Sequence, residues 1–147
     1  MPIDIPDLWS DDIKVDVLPP LVILKAQDDA IRKKTQGILH TEISTSHELE
    51  PDQIHFWVTH ALELVAPAIG YRESVLNVSY REGKLYPATI EMPERIEWAD
   101  GTASATVRCF DPDEFIAELR VALRSPPTKG AIATMLALSN EARLKNG

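Results

Sequence analysis

Few side chains in this sequence are equipped for chemistry: four histidines (His40, His47, His55, His60), one cysteine (Cys109) and the acidic run Asp111, Asp113, Glu114. A shared metal would need several of them to converge on one point. His55 and His60 are five residues apart, which in a strand places them on opposite faces. His60 shares the parity of Phe56 and Leu62. It therefore reads as a core or rim histidine whose ring nitrogens must find hydrogen-bond partners. His40 lies two residues from Glu42, so the two share a face, and His55 is placed on that same face. A His40–Glu42–His55 site is then conceivable, although nothing in the spacing enforces it. His47 falls in a loop.

Cys109 would make a nucleophile only beside a histidine and with a lowered pKa. Its alternation with Ala105 and Val107 instead describes a packed, inert thiol. Asp111, Asp113 and Glu114 have an explanation in a helix start, with Asp111 as the cap and Glu114 three residues on. Nucleotide-binding glycine loops, the HExxH zinc motif, the GxSxG elbow and the EF-hand loop are all missing from the sequence. Asn77-Val78-Ser79 matches a glycosylation sequon, which has no meaning without a secretory signal. No metal and no cofactor are expected.

The elements that must position these residues follow from periodicity. Residues 1–18, punctuated by prolines, read as an arm in which Ile13, Val15 and Val17 suit a short edge strand and Trp9 anchors the arm to the body. A helix should begin at Pro19-Pro20 and run to about Gln36, stopped by Gly37. Leu21, Leu24, Ile31 and Ile38 mark its apolar stripe, and Asp28 pairs with Arg32 at i,i+4. From Ile38 to Phe110 the period falls to two. Residues 38–46 alternate loosely; Ile54, Phe56, Val58, Leu62 and Leu64 then share one parity until Pro67 and Gly70 break the strand.

Two hairpins follow. A three-residue Arg81-Glu82-Gly83 loop sets Val78 opposite Tyr86 and Leu76 opposite Ala88, with Gly83 left-handed. A two-residue Asp100-Gly101 turn sets Trp98 opposite Ala103 and Ile96 opposite Ala105. Two helices close the chain, the first started by Asp111-Pro112 and ended by Pro126-Pro127, the second capped by Thr128. The sum is an α+β fold: an N-terminal helix, about six antiparallel strands in a meander-like sheet, and two C-terminal helices on one sheet face. Residues 1–18 form an arm and 19–147 a single domain.

Three helices can cover one face of such a sheet but hardly both. By parity the other face carries His40, Glu42, His55, Trp57, Thr59, Asn77, Ser79, Pro87 and Thr89. A tryptophan among hydrogen-bonding side chains is the pattern of a binding surface. Composition narrows the choice of partner. The 147 residues carry 15 basic and 23 acidic side chains, a net charge of −8, which argues against nucleic acid and against anionic lipid. One cysteine excludes an internal disulfide, no apolar run has membrane-spanning length, and the acidic, proline-broken start is unlike a signal peptide. A cytoplasmic location is expected.

The leading expectation is a non-catalytic protein-interaction module of adaptor, chaperone, immunity or phage-accessory type. It would use Trp57, His55, His40, Glu42, Thr59, Asn77 and Ser79 to hold a protein partner or a second copy in a homodimer. The rival is a small enzyme or ligand-binding protein on the same face. There His40 or His55 would act as acid or base, and Arg81 or Asn77 would hold an anion or carbonyl.

Overall fold

A computed structural model describes residues 3–13 and 17–146. Helix α1 (Pro20–Lys34) is followed by five strands, β1 (His40–Leu49), β2 (Phe56–Ala66), β3 (Tyr71–Arg81), β4 (Ala88–Glu97) and β5 (Ala103–Cys109), then by α2 (Pro112–Leu123) and α3 (Pro126–Asn146). The sheet runs β1-β2-β3-β4-β5 with each neighbouring pair antiparallel. This is the expected α+β meander with five strands in place of about six. The segments around Ile90 and Ile96, expected as separate strands, are one continuous β4. It accommodates Pro93, which cannot donate to a ladder, through an irregularity in pairing between Glu91 and Ile96.

All three helices pack on one sheet face: α1 against β1, α2 against β4 and β5, α3 against β2 and β3. Sheet residues Leu62, Leu76, Val78 and Ile90 meet Leu24, Phe115, Leu119 and Met135 of the helices in a continuous core. Between Leu62 and Glu63 the β2–β3 register shifts around Val75, so that Val75 and Leu76 are both buried although adjacent in sequence. No helix among the described residues is long and apolar enough to cross a membrane.

Local chemistry sets the ends of these elements. Pro20 opens α1, where its missing N–H costs nothing, and Gly37 at φ +79° follows its last turn. Asp28 links the helix to the sheet: its Oδ1 accepts from both the backbone N–H and the hydroxyl of Thr41 in β1, at 2.7 and 3.0 Å. At α2 the Asp111 carboxylate accepts from the Glu114 N–H at 2.8 Å. Glu114 reaches back to the Phe110 N–H at 2.7 Å, a capping-box arrangement in which the cap is worth about 1 kcal/mol. Helix α3 starts at Pro126, two residues before the expected cap. The Thr128 hydroxyl instead donates to the Ala122 carbonyl across the α2–α3 corner.

Both hairpins differ from the expected registers. Val78 lies opposite Ile90, not Tyr86. The connection spans Glu82 to Pro87, because Tyr86 leaves the sheet to pack edge-on against Phe115 and to donate its hydroxyl to the Leu18 carbonyl. The shift is four residues, an even number, so every side chain keeps its expected face. In the second hairpin Ile96 lies opposite Ser104, one residue from the expected Ala105. The Trp98 N–H donates to the Thr102 carbonyl, making Ala99-Asp100-Gly101 a three-residue loop with Gly101 at φ +86°.

The arm also differs. Trp9 is 79% exposed and anchors nothing, and Ile3, Ile5, Leu8 and Ile13 are exposed with it. The strand expected around Ile13–Val17 falls on residues 14–16, outside the described residues.

Candidate functional site

The sheet face away from the helices is a floor of mostly polar side chains. Strand pairing sets Ser46, Thr59, Ser79, Thr89 and Arg108 in one row across all five strands. A second row is Ser44, Ala61, Asn77, Glu91 and Thr106. Thr59, Asn77 and Ser79 are therefore neighbours, on the face to which alternation assigned each of them. Their side chains are partly exposed and present hydroxyl and amide groups that both donate and accept. Two clefts elsewhere in the molecule both lie against helices, and neither is lined by a residue of these rows.

Each end of the floor is marked by charge. At one end Arg72 reaches Glu42 and Glu63, while the His40 Nε2 stands 3.9 Å from Glu42. At the other end Trp57 sits between Glu48 of β1 and Arg81 of β3 and remains 41% exposed. Beyond it the β1–β2 hairpin overhangs the helices. Leu49 and Phe56, paired across the strands, and Ile54 in the turn are all exposed large apolar residues.

Ionic contacts tie the two sides of that tip to β3. Arg81 donates to the Glu50 carboxylate at 3.0 Å and stands 3.8 Å from Asp52. His55 Nδ1 lies 2.7 Å from that same Asp52 Oδ2, while Asp52 Oδ1 accepts from the backbone N–H groups of Ile54 and His55. The His55 ring, followed by those two N–H groups, holds the Asp52 carboxyl far below the usual carboxylate range. Glu50, Asp52 and His55 bring their ligand atoms within 4.8 Å of one another, a spacing compatible with a cation. The Arg81 guanidinium already supplies a positive charge there through Nη2, which makes the cluster an ionic clasp, although the Arg81 Nε is buried without a partner.

No protein-family model, curated protein or solved structure matches this chain. Function is accordingly argued from the chemistry of the site. The structure brings together Trp57, Thr59, Asn77 and Ser79, with Glu42 at the far end of the same face. It separates the two histidines. His40 begins β1 whereas His55 lies beyond its end, nine or more residues along at ~3.3 Å each, about 30 Å apart. A joint His40–Glu42–His55 centre is excluded by that distance. Arg81, a candidate to hold an anion, is engaged by Glu50.

His60 and Cys109 sit on the helix side. His60 is 2% exposed, with Nδ1 at 2.8 Å from the Thr45 hydroxyl and Nε2 at 2.7 Å from the Tyr80 hydroxyl. Burial, with smaller contributions from the charges of His47 and Lys25, pushes its pKa below that of a free imidazole. Cys109 is fully buried, and burial followed by the nearby Glu118, Glu114 and Asp111 carboxylates pushes its thiol up to about 12. Both serve the core, as their parity implied. Sequence reasoning missed the overhanging tip, because Ile54 and Phe56 carry the same apolar parity as the buried Val58. Nothing in the alternation says where the covering helices stop.

Proposed function

We propose that this chain is a non-catalytic protein-interaction module that engages its partner through the uncovered sheet face and the adjoining β1–β2 tip. The observation that carries the reading is Trp57. It is a large aromatic 41% exposed at the end of the polar floor, on the same hairpin as the exposed Leu49, Ile54 and Phe56, of which Leu49 and Phe56 pair on its other face. Interfaces concentrate their energy in such aromatic anchors, surrounded by polar groups that set orientation. A tip already fixed by the Glu50–Arg81–Asp52–His55 clasp loses little conformational freedom on binding. The net charge of −8 steers the face toward a basic partner.

Both clefts described lie against the helices and take no lining residue from the two rows of this face, which supports a macromolecular partner over a small substrate, for which enclosure is the rule. In the rival reading, an acid–base site built on His40 or on His55, His55 is already engaged by Asp52 at 2.7 Å and His40 stands 3.9 Å from Glu42. Native mass spectrometry of the protein purified from the cells that make it tests the choice. A protein co-purifying in fixed stoichiometry, or a second copy held on this face, is the expected result. A monomer carrying only a small molecule or a metal would overturn the proposal.

A further inference from the structure

On the helix side, α1, α2 and the sheet enclose an apolar cleft of about 520 Å³, within the ~300–1,000 Å³ range of ligand sites. Val22, Ile23, Leu64, Ile116 and Leu119 form its walls. Its rim is basic: Lys34, Arg120 and Arg124 line it, and none of the three makes an ion pair among the described residues. The arm has the opposite character. Residues 3–13 carry Asp4, Asp7, Asp11 and Asp12 without a single basic residue. Interleaved with them are Ile3, Ile5, Leu8, Trp9 and Ile13, all exposed, Leu8 at 83% and Trp9 at 79%. Five large apolar side chains on one short segment exceed the scattered surface hydrophobes of a monomer and call for a cover.

We propose that the arm of one copy docks in the α1–α2 cleft of a second copy, its apolar side chains filling the cleft and its aspartates meeting Lys34, Arg120 and Arg124. By two-fold symmetry each copy gives an arm and receives one, which closes the assembly as a dimer. Within one chain the arm stays out of its own cleft: Leu18 at the arm's root, whose carbonyl accepts from the Tyr86 hydroxyl at 2.8 Å, reaches the lining, but none of residues 3–13 does, and their apolar side chains stay exposed. This pairing lies on the opposite side of the sheet from Trp57 and leaves that face free.

Cross-linking between differently marked copies tests this directly. One full-length chain carries Leu8→Cys and another carries Ala30→Cys, a position lining the cleft. The native Cys109 is buried and silent. Mixed and oxidised, the two should yield a covalent dimer, whereas Leu8→Cys mixed with an Ser46→Cys control on the other face should not. In light scattering the wild-type chain should be dimeric. Leu8→Ser/Trp9→Ser, at two positions where no fold contact exists to lose, should raise the dimer dissociation constant roughly a hundredfold. Arg120→Glu/Arg124→Glu should weaken the dimer too, and combining it with Asp7→Lys/Asp11→Lys should restore it. A monomeric wild type, cross-linking only when both cysteines are on one chain, or a dimer indifferent to Leu8→Ser/Trp9→Ser would each overturn the proposal.

Discussion

Replacing Tyr80 with phenylalanine removes one oxygen atom and leaves the shape of the core unchanged. That oxygen lies 2.7 Å from His60 Nε2, inside a core where His60 is 2% exposed and Tyr80 nearly as buried. Whichever tautomer the ring adopts, one nitrogen donates and the other accepts, so the variant leaves Nε2 without a partner and without water. An orphaned buried polar group costs about 1–3 kcal/mol. For a chain of this size each kcal/mol lowers Tm by about 4 °C, so Tyr80→Phe should melt roughly 4–12 °C lower. The double variant His60→Leu/Tyr80→Phe removes both polar groups, and the Thr45 hydroxyl, on an exposed strand residue, can turn to water. Its loss should therefore be smaller than the sum of the two single losses by about 1 kcal/mol or more. Urea unfolding of the four proteins gives each term of the cycle. Additive single losses, or a Tyr80→Phe chain melting with the wild type, would refute the bonded pair and with it the account of His60 as a core residue.

Other consequences can be measured on the same protein. Because burial lowers the His60 pKa beneath its ordinary 6.5, the unfolded chain takes up a proton at a higher pH than the folded one. The ring's contribution to stability is thus complete above pH 6.5 and declines as pH falls below it; His60→Leu should lose that part of the slope in unfolding experiments run between about pH 5 and 7. A matching slope in the variant would contradict it. Asp28→Ala should cost about 1–2 kcal/mol through the lost bonds to Thr41, and Asp28→Asn, which keeps an oxygen acceptor, distinctly less; equal losses would count against this tie. With its thiol pushed up to about 12 and no exposure, Cys109 should resist a thiol reagent at pH 8 until denaturant is added, and rapid labelling of the native chain would contradict its placement.

Alternation carried much of this architecture, and the reasons for its failures are physical. A period of two reports which face a side chain takes, so the shared face of Thr59, Asn77 and Ser79 and the inward His60 were legible, while their adjacency came from the β2–β3 pairing. It is blind to a register shift by an even number, which is how the Val78–Ile90 pairing escaped notice while every face stayed right. It is equally blind to tertiary cover. Ile54 and Phe56 carry the core parity but extend past the helices, and the tip they form with Leu49 needed coordinates to be seen. The clasp of Glu50, Asp52, His55 and Arg81 joins a loop to a strand some thirty residues along the chain, a proximity set by the β2–β3 pairing and by no local pattern.

In the proposed function Trp57 anchors a protein partner. A tryptophan buries up to ~250 Å². The exposed 41% of Trp57 then leaves about 100 Å² to cover, worth ~2.5 kcal/mol, or roughly seventyfold in affinity. The decisive measurement compares the wild type with Trp57→Thr, whose β-branched replacement suits a strand, as baits in extract from the cells that make the protein, with retained proteins quantified by mass spectrometry. At least one protein should be held stoichiometrically by the wild type and lost from the variant, with the variant's cooperative unfolding intact. The same proteins retained by both baits in equal amounts would contradict it.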